Sequence, residues 1–406
     1  MARILLAWQL GGGAGHCVKL APIAEGLLAK GHEVCVAARD LVTARLVFDG
    51  APIQYLQAPH VTGRQPNARV PTRSLSDILA NTGFGDATSL EVLCDAWRNL
   101  FEAVMPNMVV CDHAPLALLA SRWYGMRRVV LGTGFTVPPG LSPLPDLRYW
   151  MQGAPIEELR RDETAILQRV NELLAQNDID PLGRLADLYT DADLSFLLTF
   201  RELDHYPLRE AARYWGAWSM AGGSAAEWPE GGPRVFAYLK PPTAAWRLDR
   251  LLEFLRESRL ASLVYVAGGD PAWLRKFEST RLRIVSKPVD VREAAKQCDV
   301  AVLNGTAGSV TAFLLAGVPQ LNIPLNLEQV TLSRRVADLS AGLLANPARP
   351  EQMAARLLAL LHDARYGEAA KSFSRRYANF DPQNSREQIV SAIHERLSEC
   401  KSLQTA

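Results

Sequence analysis

The chain lacks the features that mark membrane-spanning, secreted and metal-binding proteins. Its 406 residues contain no apolar run long enough to cross a bilayer, and the first run, Ile4 to Trp8, leads into glycines and not into a cleavage site. The six cysteines form no CxxC pair, and the seven histidines form no HExxH or HxxxH pattern. We therefore predict a cytoplasmic protein with reduced thiols, no integral membrane segment and no metal site.

An excess of charge of one sign is also missing. Lys and Arg number 44 against 43 Asp and Glu, which gives a net charge of +1, and no long block of like charges occurs. This balance argues against nucleic acid or a membrane surface as the main partner. Hydrophobic residues make up 48% of the chain, so large cores can form, and the length indicates two or three domains.

Short apolar strands alternate with amphipathic helices in both halves of the chain. In the first half, strands are predicted at Arg3–Leu10, Glu33–Ala38 and Met108–Cys111, and the helix after the first strand has one clean apolar face. A second series of strands and helices follows residue 233. This alternation is typical of parallel sheets covered by helices, so we predict an α/β fold with two Rossmann-like, doubly wound parallel-sheet domains.

A change in composition marks the boundary between the two halves. Residues 217–233 are rich in Gly, Ala and Pro and have little periodicity, which predicts a linker. We therefore assign residues 1–216 to a first domain and 234–381 to a second. A last helix, 382–400, is expected to pack back on the first domain, with Asp381 as its N-cap and Pro382 at its first position.

A glycine-rich loop, Gly11–Gly15, joins the first strand to the first helix. Its position is that of a dinucleotide-binding loop, but His16 replaces the third glycine of the GxGxxG pattern and no glycine follows closely. Asp40, at the end of the second strand, is the acid that an NAD enzyme would use to bind ribose. An NAD-dependent oxidoreductase is therefore one alternative.

His16 is a candidate general base. A helix dipole disfavours a positive charge on a ring at the helix start, and the glycines beside it let a substrate approach. A neutral imidazole in an open cleft can take a proton from a hydroxyl. Asp112 is the candidate orienting partner, because the carboxyl ends of parallel strands meet at one edge. The structural alternative is that His16 merely begins a helix and Asp112 merely caps the next.

The segment Cys298–Gln329 has the pattern of a phosphate site. An apolar strand, Val300–Leu303, is followed by the small-residue loop Asn304–Ser309 and then by apolar residues at helical spacing. Such a loop presents several backbone N–H groups to one anion, and the helix dipole adds partial positive charge. The sequence therefore predicts a phosphate cradle in the second half of the chain.

Together these segments resemble the inverting UDP-glycosyltransferase superfamily of GT-B fold, in particular its bacterial natural-product and macrolide-type members. The similar segments are the first glycine loop with its histidine and helix, the strand that carries Asp112, and the donor signature, usually His-Gly-Gly-x-Gly-Ser/Thr followed by Gly-Val-Pro and Asp-Gln. The resemblance implies an inverting, metal-independent glycosyltransferase without a further cofactor. It would move a sugar from a nucleotide diphosphate sugar, UDP- or TDP-linked, to a hydroxyl of a small-molecule acceptor.

The resemblance also implies residue roles and a monomer or homodimer. The first domain would bind the acceptor and the second the donor, with a cleft between them, and His16 would be the base with Asp112 as its partner. The implied donor-binding residues are Gly12, Gly13, Val289, Asn304, Gly305, Thr306, Gly308, Ser309, Glu328 and Gln329. From the loop-rich segments 58–86 and 132–155 we assign acceptor-binding roles to Phe84, Thr133, Phe135 and Trp150.

The chain departs from the family pattern within the donor signature. Asn304 stands where the family usually has a histidine, and Thr306 replaces a glycine. Asparagine can donate a hydrogen bond to a diphosphate but carries no charge. One hypothesis is that Lys240 supplies the missing charge. Glu328 replaces the commoner aspartate. These changes keep open a second interpretation, a catalytically weak or non-catalytic nucleotide-sugar-binding relative or an auxiliary partner of a glycosyltransferase.

Two further details bear on the donor. The Pro-Gln expected near the base-binding strand is Asp290-Val291 in this chain. The pairs Asp178/Asp180 and Asp191/Asp193 fit the DxD pattern that binds metal in glycosyltransferases of another fold, but the pattern is common by chance and the GT-B fold does not need it.

Overall fold

The structure is a computed structural model that describes residues 1–63, 68–153, 155–219, 222–241 and 246–403. The chain divides into two compact units. Unit 1 comprises Met1–Thr199, Tyr206–Gly216 and Asp381–Ala406, and unit 2 comprises Phe200–His205 and Ala217–Phe380. Each unit is built around one parallel sheet with helices on both faces.

The sheet of unit 1 has six parallel strands. They are β1 (Arg3–Trp8), β2 (Glu33–Ala38), β3 (Gln54–Gln57), β4 (Met108–Asp112), β5 (Arg127–Gly132) and β6 (Leu194–Leu197). Their spatial order is β3-β2-β1-β4-β5-β6, so the order reverses between β1 and β4. Open α/β sheets bind ligands outside the carboxyl ends of the strands at such a reversal.

Helices cover both faces of this sheet. They are α1 (Gly15–Ala29), α2 (Leu41–Val47), α3 (Leu75–Leu79), α4 (Ala87–Val104), α5 (Pro115–Ala120), α6 (Ile156–Ala175), α7 (Asp187–Thr190) and, at the end of the chain, α15 (Pro382–Leu403). Because both faces are covered, β1 and β4 are almost continuously apolar and are buried along nearly their whole length.

The last helix, α15, belongs to unit 1. Asp381 accepts the Gln383 N–H at 2.8 Å, as expected of an N-cap. The hydroxyl of Ser385 donates to the carbonyl oxygen of Trp215 at 2.7 Å, and ring nitrogens of His32 and His394 lie 2.8 Å apart. These contacts fix the helix against α1 and the end of the segment Tyr206–Gly216.

The sheet of unit 2 repeats the arrangement of unit 1. Its parallel strands are β7 (Arg234–Leu239), β8 (Ala261–Val266), β9 (Leu282–Val285), β10 (Val300–Leu303), β11 (Gln320–Asn322) and β12 (Gly342–Leu344). The spatial order is β12-β11-β10-β7-β8-β9, which reverses between β7 and β10. The helices are α8 (Leu248–Glu257), α9 (Pro271–Leu274), α10 (Val291–Ala295), α11 (Ala307–Leu315), α12 (Leu327–Asp338), α13 (Pro350–His362) and α14 (Ala364–Arg376).

The described residues of the glycine-rich segment 217–233 belong to unit 2 and are hydrogen-bonded to it. Ser224 pairs with Val289 as a parallel bridge: its N–H donates to the Pro288 carbonyl at 2.8 Å, and its own carbonyl accepts the Asp290 N–H at 3.0 Å. The indole N–H of Trp228 donates to the side chain of Gln297. Low periodicity indicates irregular backbone but carries no information about its partners, so the sequence does not predict this docking.

Residues Phe200–His205 also belong to unit 2, although the sequence division places them in the first domain. The ring of Phe200 lies 5.4 Å from Phe373, 4.3 Å from Tyr377 and 5.0 Å from Phe380, measured between centroids. Glu202 accepts the Tyr377 hydroxyl at 2.6 Å. This aromatic cluster explains why the short segment separates from its neighbours in the chain.

The predicted fold class, two doubly wound parallel sheets, is confirmed. The sequence does not predict the short edge strands β3, β6 and β12, which have few residues with which to show a period. Among the described helices, none combines the length and the apolar character that a bilayer crossing requires. The cysteines with described side chains are all buried and form no disulfide.

Replacing Gly26 with Ala tests the packing of α1 on α15. The added Cβ would lie 2.7 Å and 2.9 Å from the two γ carbons of Val390, a short side chain that cannot swing away. We expect Gly26→Ala to lower the free energy of unfolding by about 1–3 kcal/mol in urea denaturation. The matched control is Gly367→Ala in α14, where nothing lies within 4 Å of an added Cβ. There, the higher helix propensity of alanine should raise the free energy of unfolding by about 0.5–1 kcal/mol. If both variants lowered the free energy of unfolding by the same amount, the proposed contact of α1 with α15 would be wrong.

Candidate active site

The carboxyl edge of the unit 1 sheet brings His16 and Asp112 together. Asp112 ends β4 directly opposite Trp8, the last residue of β1, and α1 begins just beyond the loop that follows β1. The His16 Nδ1 atom lies 3.0 Å from the Asp112 Oδ2 atom. Their side chains are 6% and 0% exposed, respectively, so the pair is held in the interior of the sheet edge.

One of the two roles considered for Asp112, capping the next helix, is not seen in the structure. The N-cap position of α5 is Ala114, so Asp112 does not cap that helix. An ionised carboxylate can only accept hydrogen bonds, so the Nδ1 atom of His16 must carry the proton in this contact. In the neutral ring the lone pair is then on Nε2.

Lys19 is a third member of this group, which sequence reasoning missed. Its Nζ atom lies 2.9 Å from Oδ1 and 2.8 Å from Oδ2 of Asp112, and its side chain is only 13% exposed. Lys19 follows His16 by three residues, so both side chains leave the same face of α1. The three-residue spacing of His16 and Lys19 was visible in the sequence. A lysine near the start of a helix is usually solvated, however, and nothing nearby in the sequence identified Asp112 as its partner.

The charge of Asp112 depends on these two neighbours. Burial alone raises the pKa of this carboxyl group because the ionised form loses its hydration. The Lys19 ammonium and then His16 outweigh that effect and hold the pKa at about 2. Among the described residues, no backbone N–H donates to this carboxylate, so the ionised state rests on two side chains of α1.

Two glycines leave room for the pair. A Cβ on Gly11, which has a φ of +82°, would lie 2.5 Å from the His16 Nε2 atom. A Cβ on Gly132, at the end of β5, would lie 2.0 Å from the Thr136 hydroxyl and 3.2 Å from Oδ1 of Asp112. Gly12 and Gly13 belong to the same loop, and nothing lies within 4 Å of a Cβ on Gly12. The loop therefore passes close to the Nε2 side of the ring, where a side chain on Gly11 would block that atom.

A row of stacked rings flanks the His16 imidazole. Trp8 lies against one face with centroids 5.2 Å apart, His113 lies 6.1 Å away on a near-parallel plane, and Phe135 meets His113 edge-on. Burial, followed by repulsion from His16, lowers the pKa of His113 to about 3, so its ring is neutral at pH 7. The His113 Nδ1 atom is buried without a hydrogen-bond partner in the described part of the chain.

The four residues predicted to bind the acceptor lie in three different parts of unit 1: a sheet edge, a loop and the hydrophobic core. Thr133 and Phe135 follow β5 at the same sheet edge as His16, and Phe135 reaches the row of rings. Trp150 packs edge-on against Tyr149 in the loop before α6. Phe84, by contrast, is fully buried in the hydrophobic core of unit 1 and presents no surface to an acceptor. Its position in an irregular segment suggested a loop, but that segment folds into a short helical turn.

The predicted phosphate cradle of unit 2 is the first turn of α11. Among the described residues, the N–H groups of Ala307, Gly308 and Ser309 have no acceptor, and Val310 is the first to bond, to the Thr306 carbonyl at 3.0 Å. The Thr306 hydroxyl does not cap these groups but lies 2.7 Å from the Ser309 hydroxyl. Open N–H groups at a helix start, reinforced by the helix dipole, can bind an anion.

Asn304 has a structural role that the sequence does not predict. Its Oδ1 atom accepts the Lys240 N–H at 2.7 Å, and its Nδ2 atom donates to the Ile323 carbonyl at 2.8 Å. The buried amide therefore ties together the segments that leave β7, β10 and β11. One of the two hydrogens on Nδ2 is used in this way, so the hydrogen bond to a diphosphate that the sequence interpretation gave Asn304 stays a prediction. Neither partner is close to Asn304 in the sequence.

The remaining donor candidates lie around the same edge. Gly305 has a φ of +78°, and a Cβ there would lie 2.5 Å from the Ser333 hydroxyl, so only glycine fits. Gln329 is buried, and its Oε1 atom accepts the Leu325 N–H at 2.8 Å. Glu328 lies in the first turn of α12, and its side chain makes no ion pair or hydrogen bond within the described ranges. Of the predicted acid–amide pair, Glu328 is thus the freer member.

Several acidic residues with open roles in the sequence have structural partners. Asp290 caps α10 by accepting the Arg292 N–H at 2.9 Å, next to the buried Val289. Asp40, on which the NAD alternative depends, caps α2 through the N–H groups of Val42 and Thr43. In the second DxD pair, Asp191 pairs with an arginine and Asp193 pairs with two, through contacts to Arg122, Arg127 and Arg396.

Comparison with family models gives no match to the chain. Comparison with individual proteins gives similar sequences and similar structures. A PGL/p-HBAD biosynthesis glycosyltransferase of Mycobacterium tuberculosis is 23% identical over 306 residues, which cover 71% of each chain.

Among solved structures, spinosyn rhamnosyltransferase SpnG superposes with a TM-score of 0.68 and 17% identity, over 98% of this chain and 100% of that one. SpnG structures also exist with thymidine diphosphate and with the spinosyn aglycone. The calicheamicin glycosyltransferase CalG4 gives a TM-score of 0.68 at 15% identity, with 96% and 98% of the two chains covered. The chain thus has the GT-B fold of these enzymes, and the resemblance to natural-product glycosyltransferases predicted from its motifs is confirmed.

Proposed function

We propose that this protein is an inverting glycosyltransferase that moves a sugar from a nucleotide diphosphate sugar to a hydroxyl group of a small-molecule acceptor. The observation that carries the proposal is the buried hydrogen bond between the His16 Nδ1 atom and Asp112. The other ring nitrogen faces Gly11, where any larger residue would block it. The fold shared with SpnG and CalG4 supports the same activity.

The proton transfer follows from the orientation of the imidazole. Asp112 holds the Nδ1–H, so the Nε2 lone pair accepts the proton of the acceptor hydroxyl. The oxygen forms a bond to the anomeric carbon as the bond from that carbon to the diphosphate breaks. This single displacement inverts the anomeric configuration. The ring becomes an imidazolium, and the adjacent carboxylate stabilises it.

The donor half of the reaction is assigned to unit 2. The open N–H groups of Ala307, Gly308 and Ser309 are suited to the diphosphate, whose negative charge grows as it leaves. Backbone donors supply this stabilisation without a metal ion. The carboxylate of Glu328 is suited to accept hydrogen bonds from the sugar hydroxyls, and the side chain of Lys240 is exposed beside the strand ends that Asn304 ties together.

Thymidine diphosphate sugars are the first donors to test, with rhamnose as the first sugar. SpnG is named a rhamnosyltransferase and has a structure with thymidine diphosphate. UDP- and GDP-sugars form the comparison set in a thermal-shift screen, because a melting-temperature increase with one nucleotide class identifies the donor. Acceptor candidates are then incubated with that donor, and the glycosylated product is detected by mass spectrometry.

One observation favours the second candidate function, a nucleotide-sugar-binding protein without efficient turnover. The family position for a diphosphate-contacting histidine is Asn304, an uncharged side chain that already bonds the Lys240 N–H and the Ile323 carbonyl. Donor binding measured by calorimetry, together with no product from any acceptor or water, would select this function. Product formation would exclude it.

Replacing His16 with Ala tests the proposed base. We expect kcat/KM for sugar transfer to fall by about 10²–10⁴-fold, because the variant lacks the ring nitrogen that accepts the proton. The matched control is His362→Ala, which removes an exposed histidine near the end of α13. The control should keep wild-type activity, and His16→Ala should keep wild-type affinity for the nucleotide diphosphate. Full transfer activity in His16→Ala would show that the mechanism is wrong.

Replacing Ala307 with Pro tests the phosphate cradle. Proline is tolerated at the first position of a helix, and Thr306 already has the extended backbone (φ −80°, ψ 141°) that must precede it. The change removes one open N–H, so we expect the affinity for thymidine diphosphate to fall by about tenfold in calorimetry. Ala307→Ser keeps the N–H and is the control. Equal affinities of the two variants would place the diphosphate elsewhere.

A further inference from the structure

We propose that Lys19 is a positioning residue for the base, which acts through Asp112 to keep the His16 ring in its proton-accepting form. The proposal rests on the proposed function, because it concerns the same base. Within the described ranges, the polar contacts of the Lys19 ammonium are to Asp112 and not to the ring nitrogen that would take the proton. Its effect comes from sharing one carboxylate with the imidazole.

The contacts show how the carboxylate is shared. Oδ2 of Asp112 is approached by the His16 Nδ1 atom at 3.0 Å and by the Lys19 Nζ atom at 2.8 Å, and Lys19 also bonds Oδ1 at 2.9 Å. The Lys19 ammonium thus contacts both carboxylate oxygens of Asp112, whereas the imidazole contacts only one. All three side chains are buried or nearly so, and water therefore screens their charges only weakly.

The charges of the group give the direction of the effect. With a neutral ring, Lys19 and Asp112 sum to zero, and protonation of the ring leaves the group at +1. Without the ammonium, the group would carry −1 with a neutral ring and zero with a protonated ring. The imidazolium would then be more stable than it is beside Lys19. Lys19 therefore shifts the ring towards the neutral, proton-accepting state while still leaving Asp112 ionised to hold Nδ1–H.

The other titratable groups facing this cluster are neutral or turned elsewhere. Burial, followed by repulsion from Asp112, raises the pKa of the Cys17 thiol to about 12, so it is uncharged at pH 7. His113 is neutral there too, as its lowered pKa requires. After β2, Arg39 bonds the Gln9 carbonyl at 3.4 Å and Asp40 caps α2. In the described part of the chain, Asp112 is thus the charged group that contacts the ring, and Lys19 is the charged group that contacts Asp112.

The test compares Lys19→Gln with wild type across pH 5–9. Glutamine keeps a donor to Asp112 but removes the positive charge. We expect the acidic limb of the kcat/KM profile to move to higher pH by about one unit or more, with activity recovering at alkaline pH. The protonation of the His16 ring, followed by nitrogen NMR shifts without any substrate, should move in the same direction. A merely structural role for Lys19 would lower activity equally at every pH.

Two variants serve as controls. Lys19→Arg keeps the charge and should restore the wild-type profile. Lys30→Gln removes an exposed lysine just after the end of the same helix and should change neither the profile nor the ring titration. A ring titration in Lys19→Gln that matches wild type, or moves to lower pH, would overturn the proposal.

A double variant keeps the test decisive even if Lys19→Gln fails to fold. Lys19→Gln combined with Asp112→Asn removes both buried charges, so no unpaired ion remains. The comparison is with Asp112→Asn alone, which keeps the ammonium: the His16 ring of the double variant should titrate at higher pH than in that single variant. A ring titration in the double variant at the same or lower pH contradicts the proposal. Because the NMR readout needs no sugar transfer, a protein that shows the expected titration but no turnover refutes the proposed function alone.

Discussion

The buried carboxylate of Asp112 is the constraint on which the geometry of unit 1 depends. A fully buried anion is tolerated only when its partners are fixed, and both of its partners, His16 and Lys19, come from one face of α1. The helix must therefore start where it does, and the loop before it must turn within a few residues. Gly11 and Gly132 follow from the same constraint, because a Cβ at either position would crowd the group.

Unit 2 meets a similar requirement with a neutral side chain. Its sheet also reverses order between two adjacent strands, and a polar residue follows one of them. There the groups to be satisfied are a backbone N–H and a backbone carbonyl, those of Lys240 and Ile323, and the amide of Asn304 supplies one acceptor and one donor. A charge is unnecessary for that task. The same sheet topology thus supports an ionised group in one unit and a neutral one in the other.

Much of this organisation was predictable because it depends on local patterns. Apolar runs and glycine loops predicted the central strands, and the shared edge of parallel strands predicted that His16 and Asp112 meet. What the sequence did not predict depends on partners distant along the chain. Lys19 has the right helical spacing but shows its partner only in three dimensions, Asn304 bonds residues 64 and 19 positions away, and Phe84 looked like part of a loop although it is in the core.

The tautomer of His16 ultimately depends on the charge state of Asp112. Burial is the largest single influence on that carboxyl group and favours its protonated form. A protonated carboxyl would offer its own hydrogen, and the ring could then present either nitrogen to it. The Lys19 ammonium prevents this by keeping the carboxylate ionised, so Nδ1 must donate and Nε2 keeps its lone pair. The same ammonium opposes a positive charge on the ring. Lys19 therefore favours the correct tautomer at the expense of base strength, a balance suited to a base that must be neutral before each transfer.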